Sequence, residues 1–203
     1  MSTATSTAPR PLRVLIVEDD TLVGMGLQSQ LQTLGHAVVG RAGNAAEAQA
    51  LFKQHGPDLV LMDIRLDSTD GIALATQLMQ ERRTAMIIVS AYSDPQLIAR
   101  ASEAGVFGYL IKPVSSESLA AQIEVAVRRF EEHEKLRIEK DTLAENLETR
   151  KLVERAKGIL MKRLGLSEDV AHRRLQQESQ KRRIRIAEMA RKVIESEEVL
   201  GTT

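Results

Sequence analysis

The 203-residue chain contains no cysteine, which excludes disulfide bonds, thiolate metal sites and a cysteine nucleophile. It also lacks any apolar run near the ~18 residues that a membrane span requires. Its first residues are small and polar, without the apolar core of a signal peptide. We therefore expect a protein without a membrane partner that works in the cytoplasm, with a disordered tail at 1–11 and a short tail at 199–203.

The net charge of zero conceals an uneven distribution along the chain. Residues 1–149 carry 14 basic and 20 acidic side chains, a net charge of −6. Residues 150–203 carry 14 basic and 8 acidic side chains, a net charge of +6. This asymmetry predicts two units with different partners. The alternative is two solvated surfaces that differ only in composition.

Five short apolar segments alternate with helical patterns in the front part of the chain. The segments are residues 13–17, 37–42, 58–62, 85–90 and 108–111. These segments are largely continuous apolar runs and do not alternate with polar residues, which is typical of strands covered on both faces. Turn and cap residues separate the helices that lie between them, as in the capping-box pattern of Asn44 and Glu47. The pattern predicts an α/β fold with a doubly wound, five-stranded parallel sheet.

Charged and hydroxyl side chains follow these strands at their carboxyl ends, where ligands bind in such sheets. They are Glu18, Asp19 and Asp20 after the first strand, Asp63 after the third, Ser90 at the end of the fourth and Lys112 after the fifth. Converging carboxylates repel one another, and Mg²⁺ relieves that repulsion and neutralises an incoming phosphoryl group. Asp63 is then a candidate nucleophile that forms an aspartyl phosphate. Taken singly, these side chains have plain alternatives, such as acids favouring a helix N-terminus.

Residues 12–130 resemble the receiver domain of two-component response regulators, the CheY-like fold. The resemblance implies that Asp63 is the phosphoacceptor and receives its phosphoryl group from a sensor histidine kinase. Glu18 and Asp19 would be the acidic pair that binds Mg²⁺, with Asp63 and the backbone carbonyl of Arg65 as further ligands. It implies a regulator and not an enzyme, with at most self-phosphorylation and self-dephosphorylation at Asp63.

The same resemblance assigns roles to residues at the ends of the fourth and fifth strands. Ser90 would be the conserved hydroxyl of the switch, and Tyr109 the aromatic side chain that changes rotamer on activation. Lys112 would assist the phosphoryl chemistry, and its peptide bond to Pro113 would be cis.

Two departures from the family pattern occur, and neither removes a chemical group. Asp67 replaces a common proline and adds a carboxylate close to the site, and Val114 replaces a common phenylalanine. A rival interpretation is a haloacid-dehalogenase-like phosphatase, which also forms an aspartyl phosphate. Such an enzyme needs a second Asp two residues after the nucleophile, where this chain has Arg65.

A long helix is predicted to connect the front unit to the back unit. No Gly or Pro occurs between Ser116 and Thr149, and residues 131–149 are highly charged. The main apolar positions of this linker are Leu136, Leu143 and Leu147. They predict either a coiled-coil seam or a solvated spacer helix, because the heptad signal is too short to decide.

Residues 150–198 predict a small domain of three helices. Gly165 ends the first helix, Ser167 is the N-cap of the second, and the third follows a break near 181–185. Clustered cations in this domain favour a polyanion as partner, although a solvated basic face remains the alternative. No Phe, Tyr or Trp follows Phe130, so bases cannot stack on such rings. Either arginine side chains stack on the bases instead, or the contact is mainly to phosphates and to shape.

Residues 152–175 and 186–194 are similar to the ANTAR domain, an RNA-binding antitermination module. The matching residues are Ala156, Lys157, Gly158, Leu160, Met161, Arg163, Ala171, Leu175, Ala187 and Ala190. Ser179 is a mild departure, where the family usually has alanine. Ala156 and Gly158 are expected to be helix-packing positions. The residues expected to contact RNA are Lys157 and Arg163 first, then Lys181, Arg182, Arg183 and Arg185.

Together, the two resemblances imply a phosphorylation-dependent regulator of RNA. Phosphorylation would favour a homodimer, whose back units bind paired stem-loops in a leader transcript and act as a transcription antiterminator. Two alternatives remain open at this stage. One is a DNA-binding transcriptional regulator that uses residues 182–196 as a recognition helix, and the other is an adaptor that binds only proteins.

Overall fold

A computed structural model describes residues 10–66 and 69–200 of the chain, with only the backbone described for 198–200. Asp67, with its predicted effect on the site, lies outside these residues, and so does most of each predicted tail. The chain divides into a front unit up to His133 and a back unit from Glu134 onwards. The domain boundaries expected at 130 and 149 stay predictions. No helix in the described ranges is long and apolar enough to cross a membrane.

The front unit contains the predicted five-stranded parallel sheet. Its strands are β1 (Arg13–Val17), β2 (Ala37–Ala42), β3 (Leu59–Asp63), β6 (Ala85–Ser90) and β7 (Gly108–Ile111). Their spatial order is β2-β1-β3-β6-β7, so the chain winds from β1 outwards first to one edge and then to the other. A short antiparallel pair, β4 (Arg65–Leu66) and β5 (Thr69–Asp70), follows β3 and was not predicted.

Helices cover both faces of this sheet, as the continuous apolar runs predict. They are α1 (Thr21–Thr33), α2 (Ala45–His55), α3 (Gly71–Glu81), α4 (Pro95–Glu103) and the first part of α5 (Ser116–Leu164). The side chains of four residues cap the first four helices, namely Asp20, Asn44, Asp70 and Asp94. Asn44 accepts a hydrogen bond from Glu47 N, while Glu47 Oε2 accepts one from Gly43 N.

Successive strand residues pack on opposite faces, which produces two separate cores. Leu59 and Leu61 join the core against α1 and α5, whereas Val60 and Met62 join the core against α2 and α3. All of β3 is buried, so no residue of that strand is free to shift without disturbing both cores. The strand therefore holds its last residue, Asp63, in a fixed position.

The back unit packs three helical segments around a small core. Its elements are the C-terminal part of α5, α6 (Glu168–Arg182) and α7 (Ile186–Leu200). The predicted first helix of this domain is not a separate element, because α5 runs without interruption to Leu164 before Gly165 adopts a φ of +64°. The buried side chains of this core are Val153, Ala156, Leu175, Met189, Ala190 and Ile194.

Two details of the back unit differ from the sequence-based predictions. Ser167 lies at the N-cap of α6, but its side chain makes no capping hydrogen bond. Gly158 is exposed, and a Cβ added there would meet nothing within 4 Å, so it is not a helix-packing position. Ala156 is fully buried, as expected of a packing residue.

Candidate functional site

Asp63 lies at the carboxyl end of β3, with only 7% of its surface exposed. Its Oδ1 accepts a hydrogen bond from the backbone N–H of Arg65 at 3.2 Å. Behind it, Gly71 N donates to the carbonyl of Ile64 at 2.9 Å. A Cβ on Gly71 would lie 1.9 Å from the backbone oxygen of Asp63, so only glycine permits this approach. The first residue of α3 thus fixes the backbone that carries the candidate nucleophile.

Lys112 joins two of the predicted acids. Its Nζ donates a hydrogen bond to Asp63 Oδ2 at 2.7 Å and another to Glu18 Oε1 at 2.8 Å. Burial opposes the charged ammonium, but these two hydrogen bonds and the two negative charges together raise the pKa of Lys112. The peptide bond to Pro113 is cis, as the family resemblance implies.

Glu18, Asp19 and Asp63 form a cluster of carboxylates. One oxygen from each of them lies within 4.8 Å of the others, and no other group of this kind occurs among the described residues. Asp20 has a different task, because its Oδ1 accepts hydrogen bonds from Leu22 N at 2.8 Å and Val23 N at 3.2 Å and so caps α1. The helix-capping alternative therefore applies to Asp20, whereas Glu18 and Asp19 face the site.

The surroundings of Glu18 favour its neutral form. Burial, with the negative charge of Asp63 added, raises the pKa of Glu18 from 4.5 to about 7 against the opposing hydrogen bond from Lys112. Its Oε2 is buried and accepts no hydrogen bond, although Lys112 Nζ lies 2.8 Å away. A buried oxygen without a hydrogen-bond donor is costly. The site thus offers an oxygen that a cation could use as a ligand.

Ser90 and Tyr109 are linked through Tyr92, a residue that the sequence analysis missed. Ser90 is fully buried, and its Oγ accepts a hydrogen bond from Tyr92 N at 3.0 Å. Tyr109 Oη donates to the backbone oxygen of Tyr92 at 2.7 Å. The guanidinium of Arg65 stacks over the ring of Tyr92, 4.6 Å from its centroid. No periodic signal marks Tyr92, because its contacts are made by a loop after β6.

In the back unit, Lys157 is engaged within the protein. Its Nζ lies 2.7 Å from Glu168 Oε1 and 3.0 Å from Glu154 Oε2, and its side chain is only 8% exposed. These hydrogen bonds raise the pKa of Lys157, so it stays charged. The residues Glu154, Lys157, Glu168, Asp169, His172 and Arg173 line a cavity of about 600 Å³. Lys157 therefore joins α5 to α6, and its predicted RNA contact remains untested.

The other predicted RNA-binding cations are exposed to solvent, and some of them form ion pairs with glutamates. Arg163 pairs with Glu197 of α7 at 2.7 Å, and Arg185 pairs with Glu145 of α5 at 3.1 Å. The remaining three, which are exposed around the turn between α6 and α7, are Lys181, Arg182 and Arg183. The structure thus brings Lys181, Arg182, Arg183 and Arg185 together in one short segment.

Comparison with known proteins identifies both units. Residues 14–124 match the response regulator receiver domain family, and residues 141–194 match the ANTAR domain family. The transcriptional regulatory protein PdtaR of Mycobacterium tuberculosis is 42% identical over 200 residues, which cover 98% of this chain and 96% of that protein. The similarity therefore extends over both units.

Solved structures match the front unit. A CheY-like receiver domain protein from Methanospirillum hungatei has a TM-score of 0.55 at 27% identity, covering 61% of this chain and 98% of that one. CheY in the CheX–CheY–BeF3–Mg complex from Borrelia burgdorferi has a TM-score of 0.54 at 25% identity, covering 56% and 87%. The chain belongs to the two-component response regulators, with a CheY-like receiver domain followed by an ANTAR output domain.

Proposed function

We propose that this response regulator accepts a phosphoryl group on Asp63 from a sensor histidine kinase and regulates transcription by binding RNA stem-loops. The observation that carries the first half is the contact of Lys112 with both Asp63 and Glu18, in a rim of three carboxylates. The carboxylates of such an arrangement could hold a cation, and its ammonium can bind the oxygens of a phosphoryl group. The cytoplasmic location is proposed because the proposed partner, a transcript that is still being made, is found there.

The donor set fits Mg²⁺, a cation that prefers oxygen ligands. Glu18, Asp19 and Asp63 would hold the ion, and Glu18 Oε2, which is buried and accepts no hydrogen bond, would be one of its ligands beside the nearby ammonium of Lys112. The backbone carbonyl of Arg65 remains a proposed ligand. When bound, Mg²⁺ supplies positive charge that neutralises the carboxylates and the phosphoryl oxygens. The Borrelia CheY, a relative with the same fold, was solved with BeF3 and Mg.

In the transfer step, a carboxylate oxygen of Asp63 attacks the phosphorus of a phosphohistidine on the kinase. The new O–P bond forms as the N–P bond breaks, and the leaving imidazole nitrogen takes up a proton. The phosphoryl oxygens then compete with Asp63 Oδ2 for the hydrogen bond from Lys112 Nζ. The raised pKa of Lys112 keeps this ammonium protonated. No enzymatic reaction on another substrate is proposed, beyond self-phosphorylation and self-dephosphorylation at Asp63.

Phosphorylation is proposed to reach the surface through Ser90. If the Ser90 hydroxyl turns to donate to a phosphoryl oxygen, it gives up its hydrogen bond with Tyr92 N. The backbone of Tyr92 also holds Tyr109 Oη, so both groups can move together. A rearranged surface around Tyr109 would then favour the homodimer, as the family resemblance implies.

The test of the phosphoacceptor is a labelling experiment with radioactive acetyl phosphate and Mg²⁺. Asp63→Asn is expected to abolish labelling, because the amide is not a nucleophile for phosphorus. Asp141→Asn is the matched control, since Asp141 is an exposed acid on α5 that pairs with Arg137 at 2.9 Å. Labelling that persists in Asp63→Asn would assign the phosphoryl group to another residue.

RNA binding and antitermination are proposed from the ANTAR match and from the basic segment at the α6–α7 turn. The test is a titration of the full-length protein against a synthetic RNA with two stem-loops and against a duplex DNA, each at two salt concentrations. Tighter binding to duplex DNA would favour the DNA-binding alternative. If neither nucleic acid bound at moderate salt, the protein would be an adaptor that binds only proteins.

A further inference from the structure

The end of α6 has a geometry in which glycine is the usual residue. Arg183 N donates to Gln180 O at 3.1 Å, and Ile184 N donates to Ser179 O at 3.0 Å. These two bonds define a Schellman motif, whose closing residue adopts the left-handed conformation. Arg183 does so, with φ of +54° and ψ of +39°. Wherever else φ is positive among the described residues, the residue is glycine, as at Gly35, Gly56, Gly105 and Gly165.

Among the described residues, nothing compensates Arg183 for this conformation. Its side chain is exposed, and no hydrogen bond, ion pair or ring contact of its guanidinium occurs within residues 10–66 and 69–197. A side chain other than glycine, asparagine or aspartate is strained in the left-handed region. Such an outlier without a structural reason points to a functional one. The exposed guanidinium of Arg183 is therefore available to a ligand.

The neighbours of Arg183 add charge to the same segment, residues 181–185, which forms the corner between α6 and α7. Lys181, Arg182 and Arg185 are exposed, while Ile184 between them packs against the core of the back unit and anchors the segment. The cations that have partners are weakly held, because exposed pairs of this kind contribute little. Arg182 lies 3.4 Å from Glu178, and Arg185 pairs with Glu145 while its own side chain is 85% exposed.

Lys157 differs from this corner in every respect that matters for an RNA contact. Two glutamates already hold its ammonium, and its side chain is nearly inaccessible. To reach a phosphate, Lys157 would leave both Glu154 and Glu168 without their cation. The guanidiniums of the corner, in contrast, can exchange water or one exposed carboxylate for a phosphate, which they recognise with paired N–H groups.

We propose that the corner between α6 and α7, defined as residues 181–185, is the surface through which this protein contacts RNA phosphates, with Arg183 retained there for binding at the expense of local stability. The proposal rests on the RNA-binding function proposed above. It assigns the contact to the corner and not to Lys157. Folded RNA is a suitable ligand for this surface, because a short basic segment can bind phosphates and recognise the shape of an RNA without stacking on its bases.

The experiment measures RNA affinity and stability for the same substitution. Arg183→Gly removes the cation but relieves the backbone, so its effects on the two properties have opposite signs. RNA affinity is expected to fall, and the slope of log K against log salt to become shallower by about 0.7–0.9, the contribution of one phosphate contact. The urea midpoint of the back unit is expected to equal or exceed that of the wild type.

Three further variants make the result specific. Arg183→Asn tolerates the left-handed conformation without a cation, so it should bind like Arg183→Gly. Arg183→Lys keeps the charge and should preserve the salt slope. Lys140→Gln removes an exposed charge from the linker part of α5 and should change neither slope nor stability. All are measured in the full-length protein with the two-stem-loop RNA, with and without acetyl phosphate and Mg²⁺.

The outcomes separate this proposal from the function on which it rests. A wild type that binds the RNA, combined with Arg183→Gly of unchanged affinity and slope, would overturn the corner alone. Equal losses in Arg183→Gly and Lys140→Gln would also overturn it, because they would reflect general charge. A lower urea midpoint for Arg183→Gly would refute the stability argument. A wild type that does not bind the RNA would overturn both proposals.

Discussion

Replacing Glu18 with glutamine should make the metal-free receiver domain more stable above neutral pH. Burial raises the pKa of Glu18 from 4.5 to about 7, so the fold favours the neutral carboxyl over the carboxylate. A displacement of that size corresponds to about 3 kcal/mol of unfolding free energy. Glutamine resembles the neutral carboxyl in shape and has no charge to bury. The variant should therefore gain about 3 kcal/mol at pH 8.

The sign of the effect depends on pH in a defined way. Between pH 4.5 and 7 the native state binds a proton at Glu18 that the unfolded state has released, so the unfolding free energy of the wild type falls as pH rises. Below pH 4.5 both states are protonated, and the difference between wild type and Glu18→Gln should vanish. Urea unfolding in EDTA, followed by tyrosine fluorescence, isolates the front unit because Tyr92 and Tyr109 both lie there.

A charge-matched control separates this effect from general electrostatics. Glu124 is exposed on α5, so Glu124→Gln should change stability little at any pH. Mg²⁺ should stabilise the wild type more than Glu18→Gln, because binding to the native state alone adds stability and the variant lacks one carboxylate ligand. The reasoning would be refuted if Glu18→Gln were no more stable than the wild type at pH 8, or if its advantage were the same at pH 5.

Three other substitutions test separate parts of the molecule. Gly71→Ala places a Cβ 1.9 Å from the backbone oxygen of Asp63, so we expect a loss of about 1–3 kcal/mol in urea unfolding and slower labelling by acetyl phosphate. Gly158→Ala meets open space in the middle of α5 and should stabilise the back unit by about 1 kcal/mol; a loss of stability would show that Gly158 packs after all. Burial lowers the pKa of His36, whose Nδ1 accepts a hydrogen bond from Leu12 N, so stability should fall as pH drops below 6.5. His36→Gln should flatten that dependence, and an unchanged pH profile would contradict the assignment.

The parallel sheet could be predicted from the sequence because its strands are continuous apolar runs bounded by turn residues. The observed bounds of β1, β2, β6 and β7 coincide with the predicted segments, and β3 differs by one residue. The pair β4 and β5 could not be predicted, since two-residue strands carry no period. Likewise, the sequence does not show whether residues 116–164 form one helix or two. A single glycine such as Gly158 is tolerated inside a long helix, so it does not mark a boundary, and only the structure shows that α5 is continuous.

The membership of the acidic site was predictable, but its connections were not. Parallel strands bring their carboxyl ends to one edge, so Glu18, Asp63 and Lys112 had to lie near one another. That Lys112 contacts both acids, and that Asp20 turns away to cap α1, depends on side-chain directions known only from the fold. Tyr92 was missed for the same reason, since its backbone and ring act through neighbours 17 and 27 residues away.

In the back unit, the sequence shows how many cations are present but not which of them are paired or buried. Lys157 and Arg183 are both cations of the same basic domain, and a sequence treats them as equivalent. The fold places one between two glutamates and the other at the end of a helix, with no partner among the described residues. A buried, paired ammonium contributes to holding α5 against α6, whereas a solvated guanidinium is available to a ligand. The difference between a structural and a binding cation thus arises from desolvation and pairing, which only the packed helices determine.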